Sequence, residues 1–170
     1  KAMNRSHSRD SYLRILDRVR TVRPDIAFSG DFIVGFPGET EDDFEDTMRL
    51  VREVGHAQAY SFKYSPRPGT PAADMADQIA MEIMDERLQR LQAQIVADQT
   101  AFNRNTVGKT CDVLLERPGK FDGQLIGKSP WLQSVHVLAP DLSIGNIVSV
   151  QITDSGPLSL KGEPTMRAAA

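Results

Sequence analysis

Length, composition and charge limit the classes of protein that this chain can represent. It has 170 residues, 40% of them hydrophobic, so it can form one ordinary domain or two small ones with real cores. General disorder is thereby excluded. Lys and Arg number 20 against 23 Asp and Glu, a net charge of -3, so no global basic field indicates a nucleic-acid partner. Any RNA binding must come from local patches.

The single cysteine, Cys111, excludes an internal disulfide and a cysteine-only metal site within one copy of the chain. It fits a reducing environment and predicts a cytoplasmic location. No apolar run reaches the roughly 18–20 residues of a membrane-spanning helix, so no membrane partner is expected. The chain begins in a basic segment at Lys1 without an initiator Met, from which we expect a piece of a longer protein.

The first part of the chain predicts alternating helices and strands. Apolar residues at three- and four-residue spacing predict an amphipathic helix over residues 11–22, which Pro24 ends. The apolar stretch 26–36, between Pro24 and Pro37, predicts a strand buried on both faces of a parallel sheet.

A second helix and strand follow. Thr40 and Asp43 have the spacing of a capping box, and Gly55 is a plausible C-terminal stop, so a helix is expected between them. Residues 57–64 alternate like another strand. This succession with short connections predicts an α/β fold with a parallel sheet.

The remaining segments complete the expected architecture. Residues 65–78 contain three prolines and predict an irregular loop, and residues 79–102 predict a long helix. After Gly108, about five short β-rich runs are separated by turn signals, which predicts a small closed barrel of the oligonucleotide-binding type. We therefore place domains at 1–108 and 109–162, with a flexible tail at 163–170.

Two loops of the α/β half are candidates for ligand binding. Gly35, at the end of a predicted strand in DFIVGFPGET, lets a flat or phosphate-bearing ligand approach the backbone, and the following helix N-terminus can serve an anion. Arg67, in YSPRPGTPA, can meet a carboxylate or a phosphate. A structural turn and a solvated arginine remain open as alternative explanations.

Other chemistry is not supported by the pattern. The carboxylates at 41–43 are explained by the start of a helix. His7, His56 and His136 lack metal-ligand spacing, and Cys111 has no nearby histidine at catalytic spacing. We therefore assign no catalytic residue and no metal ligand.

The predicted barrel carries basic, aromatic and amide side chains in or beside its turns, the mix that stacking platforms for single-stranded nucleic acid use. A lone tryptophan in a small barrel is also often part of the core, so this alternative stays open. The candidates are Lys120, Lys128, Trp131, Gln133 and His136.

Five strings occur in order and together resemble the radical S-adenosylmethionine methylthiotransferases that modify tRNA or a ribosomal protein. They are KAMNRSHSRDSY, DFIVGFPGETEDDF, YSFKYSPRPGTPAA, ERLQRLQ and GKSPWLQSVHV. The forms YSPRPGTPA and GKSPWLQSVHV are most similar to the branch that acts on N6-isopentenyladenosine beside the anticodon. The ribosomal-protein and threonylcarbamoyladenosine branches remain alternatives. Trp131 stands where the family leads us to expect tyrosine.

The resemblance implies a fold and a chemistry. The fold is the C-terminal part of a partial (β/α) radical SAM barrel, followed by a TRAM domain, a small all-β, OB-like barrel that grips tRNA. The chemistry is the addition of a 2-methylthio group, which needs S-adenosylmethionine and two 4Fe-4S clusters. The cluster ligands, including a CxxxCxxC motif, would lie upstream of Lys1, so we expect this chain to be inactive alone. Implied partners are the tRNA anticodon stem-loop, the upstream part of the enzyme and an electron donor.

The resemblance also extends the set of candidate site residues. It implies cofactor binding by Phe32, Ile33, Val34 and Gly35, with Arg67 near cofactor or substrate anions. Two alternatives to the enzyme fragment remain, a free-standing RNA-binding module and a phosphate- or nucleotide-binding α/β protein with a β appendage. The full set of RNA-binding candidates is Arg5, Lys109, Lys120, Lys128, Trp131, Gln133 and His136.

Overall fold

A computed structural model describes Met3 and residues 7–165 of the chain. The chain divides into two compact units after residue 98. None of the helices in the described ranges is long and apolar enough to cross a membrane. The helices and strands up to the barrel are α1 (Arg9–Val22), β1 (Ser29–Val34), α2 (Glu41–Val54), β2 (Gln58–Lys63), a 3-10 turn (Pro71–Asp74) and α3 (Met81–Arg104).

Helix α2 begins and ends as the sequence predicts. The Thr40 hydroxyl accepts a hydrogen bond from the Asp43 amide, and the Asp43 carboxylate accepts one from the Thr40 amide. The Thr40 hydroxyl also donates to the Asp43 carboxylate at 2.7 Å, and this bond, followed by the one from the Thr40 amide, lowers the pKa of the Asp43 carboxyl. At the other end Gly55 adopts a left-handed conformation with φ of 61°, which terminates the helix.

Strands β1 and β2 pair in parallel, as predicted for an α/β fold, but β1 is not buried on both faces. One face packs on α2 and α3, where Val34, Phe44 and Leu91 are completely buried. On the opposite face Ile33 and Phe62 keep 41% and 53% of their surface exposed. The prediction of two buried faces is therefore wrong, because the described helices cover only one face of the sheet.

His56, just before β2, is buried with neither ring nitrogen hydrogen-bonded among the described residues. Its ring packs edge-on against Phe32. Burial, aided by the positive charge of Arg20, lowers its pKa from 6.5 to about 4. Between these two pKa values, His56 is therefore protonated in the unfolded state and neutral in the folded state.

We expect the free energy of unfolding to fall by about 1–3 kcal/mol as the pH drops from 6.5 to 4, because over this range only the unfolded state binds the proton at His56. Denaturant unfolding at several pH values measures this slope. The His56→Leu variant should lack this contribution. An unchanged slope in the variant would show that His56 is not the group responsible.

The second unit contains the predicted closed barrel. Its strands are β3 (Thr110–Pro118), β4 (Gln124–Lys128), β5 (Ser134–Leu138), β6 (Ile147–Ser155) and β7 (Ser159–Pro164). They follow one another around the barrel in the order β3-β4-β5-β7-β6, with β5 and β7 parallel and the other pairs antiparallel. Its core is formed by alternate residues of these strands, including Val113, Leu115 and Leu160, all fully buried.

The ends of this unit differ from the sequence-based boundaries. The division after residue 98 assigns residues 99–104, the end of α3, to the barrel unit. There Asn103 donates hydrogen bonds to the Gly156 and Pro157 carbonyls. At the other end the tail prediction does not hold for Glu163 and Pro164. They belong to β7 and pair with β6.

Candidate functional site

A buried ion pair between Glu39 and Arg87 holds the turn between β1 and α2 in place. The guanidinium of Arg87 on α3 donates to the Glu39 carboxylate at 2.8 Å and to its carbonyl at 3.0 Å. The other Glu39 carboxylate oxygen accepts a hydrogen bond from the Gly35 amide at 3.0 Å. Only 5% of the Arg87 side chain and 13% of the Glu39 side chain are exposed. The backbone of residues 35–39 is therefore anchored to α3 through Glu39.

Gly35 itself is required by this turn. Its φ is 76°, and a Cβ added there would lie 2.2 Å from Cγ of Met84. Both facts favour glycine whether or not a ligand approaches. A structural turn, the alternative to ligand binding that the sequence left open, thus accounts for Gly35.

The other candidates for cofactor binding fall on different sides of the sheet. Phe32 and Val34 face the helices and pack in the core of the first unit. Ile33 lies on the open face, in register with Phe62. Arg67 is exposed in the loop after β2, where its carbonyl accepts hydrogen bonds from the Thr70 amide and hydroxyl. Of the candidates on β1, only Ile33 has an exposed side chain.

A cluster of charges extends the Arg87 contacts along the α2–α3 surface. Arg90 pairs with Glu41 at 2.8 Å and also with Glu45. The hydrogen bond from Arg90, more than that from Arg87, lowers the pKa of the Glu41 carboxyl. Of the carboxylates that the sequence attributes to a helix start, Glu41 therefore also holds α2 against α3. No group of three or more potential metal-ligating side chains occurs within the described part of the chain.

The barrel brings two RNA-binding candidates together. The Lys109 ammonium lies over the Trp131 ring, 5.6 Å from its centroid. Trp131 is half-buried and packs against the barrel core, so the alternative of a core tryptophan is partly correct. Lys128 donates to the Leu132 carbonyl at 3.2 Å and to the Ser134 hydroxyl at 3.0 Å. Lys128 and Trp131 therefore both belong to the hairpin of β4 and β5, and Lys109 lies over the Trp131 ring.

The other barrel candidates are placed differently. Lys120 lies in the β3–β4 turn, with its ammonium 6.0 Å from the Phe121 ring centroid. His136 is half-buried within β5, between Ile126 of β4 and Lys161 of β7 in the pairing register, rather than beside a turn. Arg5 lies outside the described residues.

Gln133 is buried, and its side chain bonds within the unit. Its amide nitrogen donates to Asn103 Oδ1 at 2.8 Å and to Thr106 Oγ1 at 3.1 Å. Its amide oxygen accepts from the Ser129 hydroxyl at 3.2 Å. Sequence reasoning missed Asn103, Thr106 and Ser129, because no local pattern links the end of a helix to a distant hairpin loop.

Two family models match parts of the chain. Residues 1–51 match the radical SAM superfamily, and residues 104–165 match the TRAM domain. Curated relatives named tRNA-2-methylthio-N(6)-dimethylallyladenosine synthase match nearly the whole chain. That of Erythrobacter litoralis is 62% identical over the whole chain, that of Sphingopyxis alaskensis 64% identical over 99% of it, and that of Novosphingobium aromaticivorans 62% identical over 95%.

The chain spans only part of these relatives, 38% of the length of the first two and 36% of the third. The resemblance noted from its sequence strings is confirmed by identities above 60% that run through both units. The chain therefore belongs to the radical S-adenosylmethionine methylthiotransferase family and corresponds to the C-terminal part of the members it matches.

Proposed function

We propose that this chain is the C-terminal part of an enzyme that adds a methylthio group to C2 of N6-isopentenyladenosine beside the tRNA anticodon. The observation that carries the proposal is the 62% identity over all 170 residues to a relative named for that product. The match of residues 1–51 to the radical SAM superfamily favours an enzyme over a free-standing RNA-binding module.

In this proposal the first unit contributes to the S-adenosylmethionine site. The open face of β1 and β2 offers a flat apolar surface at Ile33 that suits an adenine ring. Phe32 and Val34 can contribute only backbone atoms there, because their side chains pack toward the helices. The exposed guanidinium of Arg67 is suited to an anionic group of the cofactor or substrate. S-Adenosylmethionine supplies the radical chemistry when bound.

The residues of this chain do not fit an iron–sulfur cluster. Such clusters are held mainly by several cysteine thiolates, whereas this sequence has Cys111 alone. Cys111 is buried in the barrel core, and burial raises the pKa of its thiol, which disfavours the thiolate. The proposed enzyme therefore takes the ligands of both 4Fe-4S clusters from an upstream part of the same polypeptide. It also needs an electron donor, and we place it in the cytoplasm.

The second unit contributes RNA binding in this proposal. Lys109 and Trp131 combine a cation with an aromatic face, and Lys128 adds a second ammonium at the same loop. Phosphates attract such cations, while unstacked bases pack on such rings. The anticodon stem-loop of tRNA supplies both groups, so it is the partner that we assign to this surface.

The chain should bind a synthetic anticodon stem-loop RNA with an affinity that falls steeply with salt. Lys109→Ala should lower the slope of log affinity against log salt by about 0.7–0.9, the share of one phosphate contact. Fluorescence anisotropy of labelled RNA across salt concentrations measures both.

Lys63→Ala is the matched control, since Lys63 lies in the first unit and pairs with Asp85. It should leave the salt slope unchanged. An RNA affinity that does not change with salt, or an equal change of the salt slope in the two variants, would contradict phosphate binding by the barrel.

A further inference from the structure

The loop between β4 and β5, residues 129–133, contains an unusual backbone conformation. Leu132 has a φ of +62° and is the only residue other than glycine with a positive φ in the part of the chain that the structure describes. This left-handed region is unfavourable for residues with a β-carbon. The fold holds Leu132 there although a glycine would adopt the same backbone without strain.

Packing inside the protein does not account for this leucine. Its side chain is 66% exposed, so most of its apolar surface faces solvent. An exposed leucine in a strained conformation contributes little to stability. The side chain is therefore available to a partner outside the chain.

A buried polar network fixes the loop in this shape. Gln133 joins Ser129 in the loop to Asn103 and Thr106 near the end of α3. The Ser129 hydroxyl also accepts hydrogen bonds from the amides of Trp131 and Gln133, both at 3.2 Å. All four polar side chains of the network are at most 9% exposed. Gln133 is thus a positioning residue rather than a contact.

The surroundings of Leu132 indicate what it can bind. Lys128 donates to the Leu132 carbonyl, and the neighbouring Trp131 lies under the ammonium of Lys109. The loop therefore presents an apolar side chain and an indole beside two positive charges. A nucleotide with an unstacked base and its phosphates is complementary to this combination.

We propose that Leu132 is an RNA-contact residue, which packs against an unstacked base next to Trp131. The Gln133 network holds it in the strained conformation that points it outward. This inference rests on the proposed function, because it requires that the barrel bind RNA. It adds a contact residue and a positioning network to the candidates from the sequence.

The test compares three variants of the whole chain in binding to a synthetic anticodon stem-loop RNA. Leu132→Gly removes the side chain and relieves the strain, Leu132→Ala removes most of the side chain but keeps the backbone restraint, and Leu132→Met retains a large apolar group. We expect Gly and Ala each to weaken binding about tenfold and Met to stay within about twofold of the parent chain. The Gly variant should nevertheless unfold at the same or a higher denaturant concentration.

Leu158→Ala is the matched control, since Leu158 is a similarly exposed leucine (73%) in the β6–β7 turn of the same unit. It should leave RNA affinity unchanged. If Leu132→Gly and Leu132→Ala bind RNA as tightly as the parent chain, Leu132 is merely a strained turn residue and the inference fails. If the parent chain itself does not bind the RNA, the proposed RNA binding by the barrel fails, and the inference about Leu132 fails with it. Fluorescence of Trp131, the only tryptophan, reports in each variant whether the loop has kept its shape.

Discussion

Replacing Arg87 by methionine is expected to lower the free energy of unfolding by about 3–5 kcal/mol. The substitution keeps the apolar stem but leaves the Glu39 carboxylate, only 13% exposed, without its cation. It also removes the hydrogen bond to the Glu39 carbonyl. Chemical denaturation of the whole chain measures the loss.

Arg90→Met provides the matched control. Arg90 lies one helical turn further along α3 and pairs with Glu41, but its side chain is 37% exposed, so its loss should cost less than about 1 kcal/mol. Adding Glu39→Gln to Arg87→Met should recover part of the stability, because it removes the buried charge. Equal losses for Arg87→Met and Arg90→Met would show that burial does not distinguish the two arginines.

Gly127→Ala is expected to destabilise the barrel by about 3 kcal/mol, because the added methyl group has no room. A Cβ at this buried position of β4 would lie 2.3 Å from the Leu114 carbonyl oxygen and 2.6 Å from Cγ1 of Val113. The first neighbour is backbone of the paired strand, so β3 and β4 would have to separate. Thermal unfolding followed by Trp131 fluorescence measures the effect.

Gly156→Ala is the control in the same unit. Its nearest neighbour to an added Cβ is the Ser159 carbonyl oxygen at 3.6 Å, an ordinary contact distance. We expect a change below about 1 kcal/mol. A Gly127→Ala variant as stable as Gly156→Ala would mean that the barrel can open at β4 without cost.

Much of the fold could be predicted because its signals are local. The Thr40 and Asp43 capping box, the left-handed Gly55 and the apolar stripe between them specify α2 within one short segment. The barrel strands are likewise separated by local turn signals, and their closure agrees with the expected oligonucleotide-binding type.

The features that the sequence could not predict are non-local. Arg87 and Glu39 are far apart in the chain, and nothing in either segment indicates that they form a buried pair. Leucine gives no signal of a left-handed backbone, so the conformation of Leu132 emerges only from the structure. The apolar sequence of β1 suggested two covered faces. The burial of each face of this sheet depends on helices that other parts of the chain supply. The described helices pack on only one face of the sheet.

The most direct test of the proposed function is to exchange segments between relatives. This chain would replace the corresponding C-terminal part of the Erythrobacter litoralis synthase, and the chimaera would be produced in cells that lack their own synthase. Mass spectrometry of tRNA nucleosides should then show 2-methylthio-N6-isopentenyladenosine, as with the parent synthase. A folded chimaera with intact iron–sulfur clusters that leaves N6-isopentenyladenosine unmodified would contradict the account.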